Sequence, residues 1–175
     1  MSLLVRAFER DDDLAAVLAL DSEFETDHEF IVHQTPDRLE LGSVRLPEPR
    51  RKRFPLDPSA EPWTDGHVAI EDGRIRGFIA TTVETWNSRL TIRHFYVDRE
   101  ARGRGIGRAL METAVTEGRE AGALTAWAET SNRNYPGVQA YGALGFALCG
   151  FDLSLYVGTS AEGEFALYLA RDIRR

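Results

Sequence analysis

Apolar and polar positions change period several times along this chain, and each change marks an element. Leu3 to Phe8 is a short apolar run that predicts an opening edge strand. Asp11-Asp12-Asp13 then offers N-cap residues and first-turn negative charge. Leu14, Val17, Leu18 and Phe24 recur at helical spacing, so a helix is predicted from about Asp12 to Glu23. The pattern is weakest over residues 28–62. There Phe30-Ile31-Val32 reads as a short strand, and Leu39, Leu41 and Val44 alternate as another. The basic, Pro-rich run Pro47 to Pro55 reads as a solvated loop, with a binding arm as the alternative.

From Trp63 the pattern becomes regular. His67 to Glu71 is a strand, Asp72-Gly73 a hairpin turn and Ile75 to Val83 the partner strand. Trp86-Asn87-Ser88 makes the next turn, and Leu90 to Val97 the next strand. A helix is predicted from about Gly105 to Ala121, with Ile106, Leu110, Ala114 and Val115 on one face and Gly122 as its stop. Leu124 to Ala128 is a strand and Val138 to Leu144 a short helix, and Leu148 to Leu155 and Glu164 to Ala170 close the chain as two antiparallel strands. This order predicts one α/β domain over residues 1–175, a sandwich whose central mixed, mostly antiparallel sheet is flanked by helices.

Composition narrows the class. The chain has 175 residues, enough to bury a core, with 43% hydrophobic and 28% charged residues. No apolar run approaches the ~20 residues that span a bilayer, and Met1-Ser2-Leu3-Leu4-Val5-Arg6 lacks the pattern of a signal peptide. A cytoplasmic location is expected. The single cysteine, Cys149, falls in a predicted strand and reads as a small buried apolar residue rather than a nucleophile. The net charge of −7 speaks against nucleic acid or an anionic membrane as partner and suits a cationic substrate.

The chemistry concentrates where the Leu90–Val97 strand passes into the Gly105–Ala121 helix. Val97 to Leu110 reads V-D-R-E-A-R-G-R-G-I-G-R-A-L. A strand that enters a helix through a Gly-rich turn presents backbone N–H groups at the positive end of the helix dipole, which suits a pyrophosphate. A P-loop would need Lys-Ser or Lys-Thr after the glycines, and the dinucleotide fingerprint would need a third glycine where Arg108 or Leu110 stands. The pattern present is Arg-x-x-Gly-x-Gly, as Arg102-Gly103-Arg104-Gly105-Ile106-Gly107. The bland alternative is a Gly-rich helix start with solvated arginines.

This pattern resembles the acetyl-CoA pyrophosphate loop of the GNAT superfamily of N-acetyltransferases. A second block agrees: Asn134, Gly137, Tyr141 and Gly145-Phe146 match the family's last motif in order and spacing. The family usually has Ala at the Gly137 position, which predicts a looser helix start here. The resemblance covers about residues 63–172. It implies acetyl-CoA as co-substrate, no metal, a small-molecule amine as acceptor and a homodimer, with residues 28–62 as a variable acceptor-side insertion. It further implies that Phe95, Tyr96 and Val97 hold the pantetheine arm and supply an oxyanion donor. Arg102, Gly103, Arg104, Gly105, Ile106, Gly107 and Arg108 would hold the pyrophosphate, and Asn134 would contact the cofactor.

Direct transfer from a thioester to an amine needs a base, an oxyanion donor and an acid for the thiolate. Tyr141 matches the family's acid, with ring packing on the sheet as the alternative. Glu129, at the predicted end of a strand, is the first candidate for the base; Glu84, His94 and a water chain are alternatives. The segments Glu129 to Pro136, Gly145 to Tyr156 and Glu164 to Tyr168, with Trp86-Asn87, resemble the streptothricin acetyltransferase branch, which acetylates a polycationic antibiotic. Against that acceptor, Arg93 and His94 put cationic groups where the branch tends to carry acids, and a cation there would repel a polycation. Asp21, Glu23, Glu25 and Asp27 are candidate acids for an amine pocket, or a solvated helix end. Two other readings stay open: a non-catalytic acyl-CoA-binding sensor module, and a protein or peptide N-acetyltransferase whose surface would include the basic run at 50–53.

Overall fold

The computed structural model describes residues 3–54, 56 and 63–174. Met1, Ser2, Pro55, residues 57–62 and Arg175 lie outside the described residues, and with them part of the expected 28–62 insertion. The chain packs into two compact units, Met1–Glu23 with Arg53–Ala128 and Arg171–Arg175, and Phe24–Lys52 with Glu129–Ala170.

The first unit is a sheet with a helix on each face. Its strands are β1 (Leu3–Ala7), β4 (Asp65–Glu71), β5 (Arg74–Glu84), β6 (Arg89–Val97) and the first part of β7 (Thr125–Ser131), in the order β1-β4-β5-β6-β7. The first three pairings are antiparallel and β6–β7 is parallel. Asp72 and Gly73, at φ 51° and 73°, make the β4–β5 turn with both central residues left-handed, as a two-residue hairpin requires. Side chains alternate across β4 and β5. Val68, Phe78 and Ala80 face helix α1 (Arg10–Leu18) and cluster with Val17 and Leu20, while His67 and Gly77 face helix α2 (Ile106–Glu120).

Helix α1 corrects the predicted Asp12–Glu23 span at both ends. It starts after Glu9, and the buried Asp13 accepts the Glu9 N–H at 2.8 Å and both Arg6 donors at 2.7 Å. It ends at Leu18, so Asp21 to Glu23 lie beyond it and Phe24 begins a strand. Helix α2 matches its predicted span, with Gly122 at φ 93° as the stop.

The second unit contains the antiparallel ribbon of β2 (Phe24–Thr35) and β3 (Arg38–Lys52), which is longer than the two short strands expected at 28–62. Pro47 and Pro49 fall where the register shifts between Thr26 and His28, the position at which a strand tolerates a residue that cannot donate. Helix α3 (Tyr135–Ala143) packs on this ribbon, with the Tyr135 ring against His28 and Phe30. Asn132, buried after β7, exchanges hydrogen bonds with the Phe30 and Phe165 backbones. Strands β8 (Ala147–Asp152) and β9 (Ala166–Asp172) pair antiparallel. Cys149, expected to be buried, is exposed on β8.

Candidate functional site

The β6–α2 connection has the backbone of an anion site. Gly103 and Gly105 take φ of 77° and 86°, which L side chains rarely adopt. Gly105 is the N-cap of α2 and has no side-chain cap, so the first-turn N–H groups point out of the helix end without one. Gly107 serves closeness instead: a Cβ there would lie 3.2 Å from the Phe95 ring on β6. A short 3₁₀ turn over Arg99–Ala101, capped by the Asp98 carboxylate, leads into the loop.

Arg102 and Arg104 are committed to the protein itself. Arg102 donates to the carbonyls of Val97, Glu23 and Asp21 at 3.1, 2.8 and 3.4 Å. Arg104 donates to the buried Glu71 carboxylate at 2.9 Å and to the Glu100 carbonyl at 2.7 Å. Arg108 is exposed on the first turn of α2. Arg102 and Arg104 thereby brace the loop.

Strand β6 pairs with β7 through Ile92↔Ala128 and with β5 as far as Gly77↔Val97, so Phe95, Tyr96 and Val97 lie past the last β7 partner. The β5–β6 register skips Arg93, a bulge that swings its guanidinium onto Glu84 at 2.7 Å. The cation expected to repel a polycation is therefore paired. His94 and Tyr96 share a face, as alternation predicts, and it is the α1 face. The His94 ring stands edge-on to Trp63 and stacks on Tyr96. Burial pushes the Tyr96 phenol up to about 12, so it stays protonated.

In the second unit, Tyr141 is buried on α3 with its ring edge-on to Phe146 at 5.2 Å. Asn134 is the N-cap of α3: its carbonyl accepts the Gly137 N–H at 3.0 Å, and its amide donates to Thr130 at 2.8 Å. A Cβ at Gly137 would fall 2.2 Å from the Asn134 amide nitrogen. The expected looser helix start is instead a capped one, with glycine making room for the cap. Glu129 lies inside β7 rather than at its end, and its carboxylate accepts the Tyr156 hydroxyl.

The basic run is no solvated loop. Arg50, Arg51 and Lys52 end β3 and pair with Glu29, Glu25 and Glu164. With Arg133 and Thr26 they border a cavity of about 190 Å³. Half-buried Glu164 also accepts from Ser131 and from Arg133, the latter at 3.3 Å. The candidate acids are committed too: Asp21 accepts the Glu23 N–H, Glu23 pairs with Arg99, Glu25 with Arg51 and Asp27 with His28. Sequence reasoning missed Glu71, Asn132, Tyr156 and Glu164. No short-range signal marks them, because each acts through a partner distant in the chain.

Among the described residues no group of His, Cys, Asp and Glu could hold a metal, and no helix is long and apolar enough to cross a membrane. The model of the acetyltransferase (GNAT) family matches residues 17–146. A streptothricin acetyltransferase of Streptomyces lavendulae is 41% identical over 171 residues, covering 92% of this chain and 90% of that one. One from Escherichia coli is 29% identical over 158 residues, covering 90% of each. A crystal structure of a nourseothricin acetyltransferase superposes with a TM-score of 0.90 at 40% identity, over 99% of both chains. A Bacillus anthracis protein assigned to the streptothricin acetyltransferases, solved in complex with acetyl coenzyme A, gives 0.81 at 26% identity over 98% of this chain and 99% of that one.

Proposed function

The chain belongs to the acetyltransferase (GNAT) family, and from that premise we propose that it transfers the acetyl group of acetyl-CoA to a primary amine of a streptothricin-type antibiotic. The observation that carries the acceptor is the 41% identity to a streptothricin acetyltransferase across 92% of the chain. The Arg93–Glu84 pair supports it, since it offsets the positive charge that would disfavour a polycation.

The donor set fits acetyl-CoA. Gly103 and Gly105 leave open space where a Cβ would project, and α2 begins without a side-chain cap. A pyrophosphate would take the N–H groups of this loop and of Ile106, Gly107 and Arg108, with the Arg108 guanidinium adding charge. Arg102 and Arg104 hold the loop in shape for it. When bound, acetyl-CoA supplies the acyl group already activated as a thioester.

The protein's own groups then handle protons and charge. An alkylammonium with a pKa near ~10 must lose a proton before it attacks, and Glu129 takes it. The backbone N–H of Tyr96 or Val97 donates to the oxyanion that develops on the carbonyl oxygen. The C–N bond forms, the C–S bond breaks, and the Tyr141 hydroxyl gives its proton to the departing sulfur. As the intermediate collapses the nitrogen sheds its second proton to solvent; the products are an acetamide and a free thiol, the phenolate recovers a proton from solvent, and Glu129 releases the one it took. Mass spectrometry of streptothricin incubated with enzyme and acetyl-CoA tests the reading. A mono-acetylated antibiotic is expected, and unmodified antibiotic beside an enzyme that binds acetyl-CoA would refute it.

A further inference from the structure

Segment 153–163, between β8 and β9, is organised by its own hydrogen bonds. The Asp152 carboxylate accepts both the N–H and the hydroxyl of Ser154 at 2.7 Å. Val157 N–H donates to the Ser154 carbonyl at 3.0 Å. Thr159 donates twice to the Tyr156 carbonyl, from its N–H at 3.1 Å and its hydroxyl at 2.7 Å. Glu162 N–H donates to Thr159 and Glu164 N–H to Ala161, while Gly158 and Gly163 take the left-handed conformations the turns need. This succession of turns fixes the Tyr156 backbone from both sides, and its half-buried side chain delivers the hydroxyl to Glu129 Oε1.

From this geometry we infer that Tyr156 is a positioning residue of the transfer reaction, holding the Glu129 carboxylate in place to take the proton of the acceptor amine. The inference rests on the reading of Glu129 as the base. A glutamate has three side-chain torsions and, left alone on a strand, samples several directions. A base must lie within hydrogen-bond reach of its proton, and a displacement of about 1 Å can cost about a hundredfold in rate. A fixed donor on one carboxylate oxygen narrows that sampling. A phenol suits the task because it donates without adding charge. The groups facing Tyr156 are Glu129, Glu164 and Tyr168. Burial and the carboxylates together push its ionisation far above the ordinary range, so it remains a donor at every working pH. Tyr168 faces Asp152 and Glu129 and is likewise pushed up, chiefly by burial, so neither phenol becomes a second base.

The test compares wild type, Tyr156→Phe, Glu129→Gln and the double variant with acetyl-CoA and streptothricin. It reads kcat/KM against pH, the KM for acetyl-CoA and Tm. Phenylalanine keeps the ring and its packing, so Tm is expected to stay within a few degrees. In Tyr156→Phe, kcat is expected to fall about tenfold with the acetyl-CoA KM unchanged. Its acid limb is expected to move to higher pH, because a carboxylate deprived of a donor is more easily protonated. On the Glu129→Gln background the same change should cost nothing further, since the two act as one unit. An unmoved limb and unchanged kcat in Tyr156→Phe, with the limb lost in Glu129→Gln, would overturn the inference and leave the base intact. A limb unaltered in Glu129→Gln would overturn both.

Discussion

Arg102 donates through Nη1 to the Glu23 carbonyl at 2.8 Å, across 79 positions of sequence. With its bonds to Asp21 and Val97 it fastens the segment after α1 to the start of the anion loop. Net, such charge-assisted bonds from an exposed side chain are worth about 1–2 kcal/mol together. Arg102→Ala is expected to lower the Tm of the ligand-free protein by about 3–6 °C, read by thermal denaturation. A phosphate ligand would behave differently: its loss would weaken acetyl-CoA binding while leaving that Tm unchanged.

Gly77 lets α2 lie close on β5. A Cβ there would meet Leu110 Cδ1 at 2.9 Å, Ile106 Cγ2 at 3.0 Å and the Tyr96 carbonyl at 3.1 Å. Gly77→Ala therefore pushes the start of α2, the end that would hold the pyrophosphate. Overpacking of this kind costs about 1–3 kcal/mol. The expected results are a lower Tm and an acetyl-CoA Kd raised about tenfold, equivalent to ~1.4 kcal/mol, measured by calorimetry.

Asp13 couples the fold to pH. The Arg6 guanidinium holds its carboxyl below the usual carboxylate range; burial works against this and the Glu9 N–H supports it. A depressed folded pKa contributes stability that is present above the unfolded value and is lost as pH falls through the folded one. Asp13→Asn is expected to destabilise the protein by about 2 kcal/mol at neutral pH. The Tm gap to wild type should narrow below about pH 4, where the unfolded carboxyl begins to protonate. Melting curves from pH 3 to 7 check this.

Tyr141 is buried against Phe146 with its ring edge-on. Tyr141→Phe keeps the ring and removes only the hydroxyl. If that hydroxyl is the acid, kcat is expected to fall about 10²-fold or more, with acetyl-CoA affinity and Tm unchanged. Full turnover would leave Tyr141 a packing residue.

The sheet of the first unit was legible because its signals are local. Asp72-Gly73 makes a turn by its own backbone preferences, Gly122 stops α2, and the apolar stripe of α2 repeats at 3.6 residues. Residues 28–62 were not, because most of the β2–β3 ribbon faces solvent and its strands alternate weakly. Its basic end is settled by Glu25, Glu29 and Glu164, of which the last is 112 positions from Lys52. The anion loop was visible as a motif, whereas the duties of Arg102 and Arg104 were not. An arginine that would bind phosphate and one that braces the loop look alike until Glu23 and Glu71 are seen beside them. The same holds for Glu129, visible as a carboxylate near a strand end but without its Tyr156 partner, 27 residues on.

The most direct measurement is acetyl-CoA-dependent thiol release with streptothricin beside aminoglycosides, polyamines, amino acids and short peptides, at matched concentration. The account predicts release with streptothricin far above the acceptor-free rate and above every other class. Release only with peptides, or tight acetyl-CoA binding with no release from streptothricin, would contradict it.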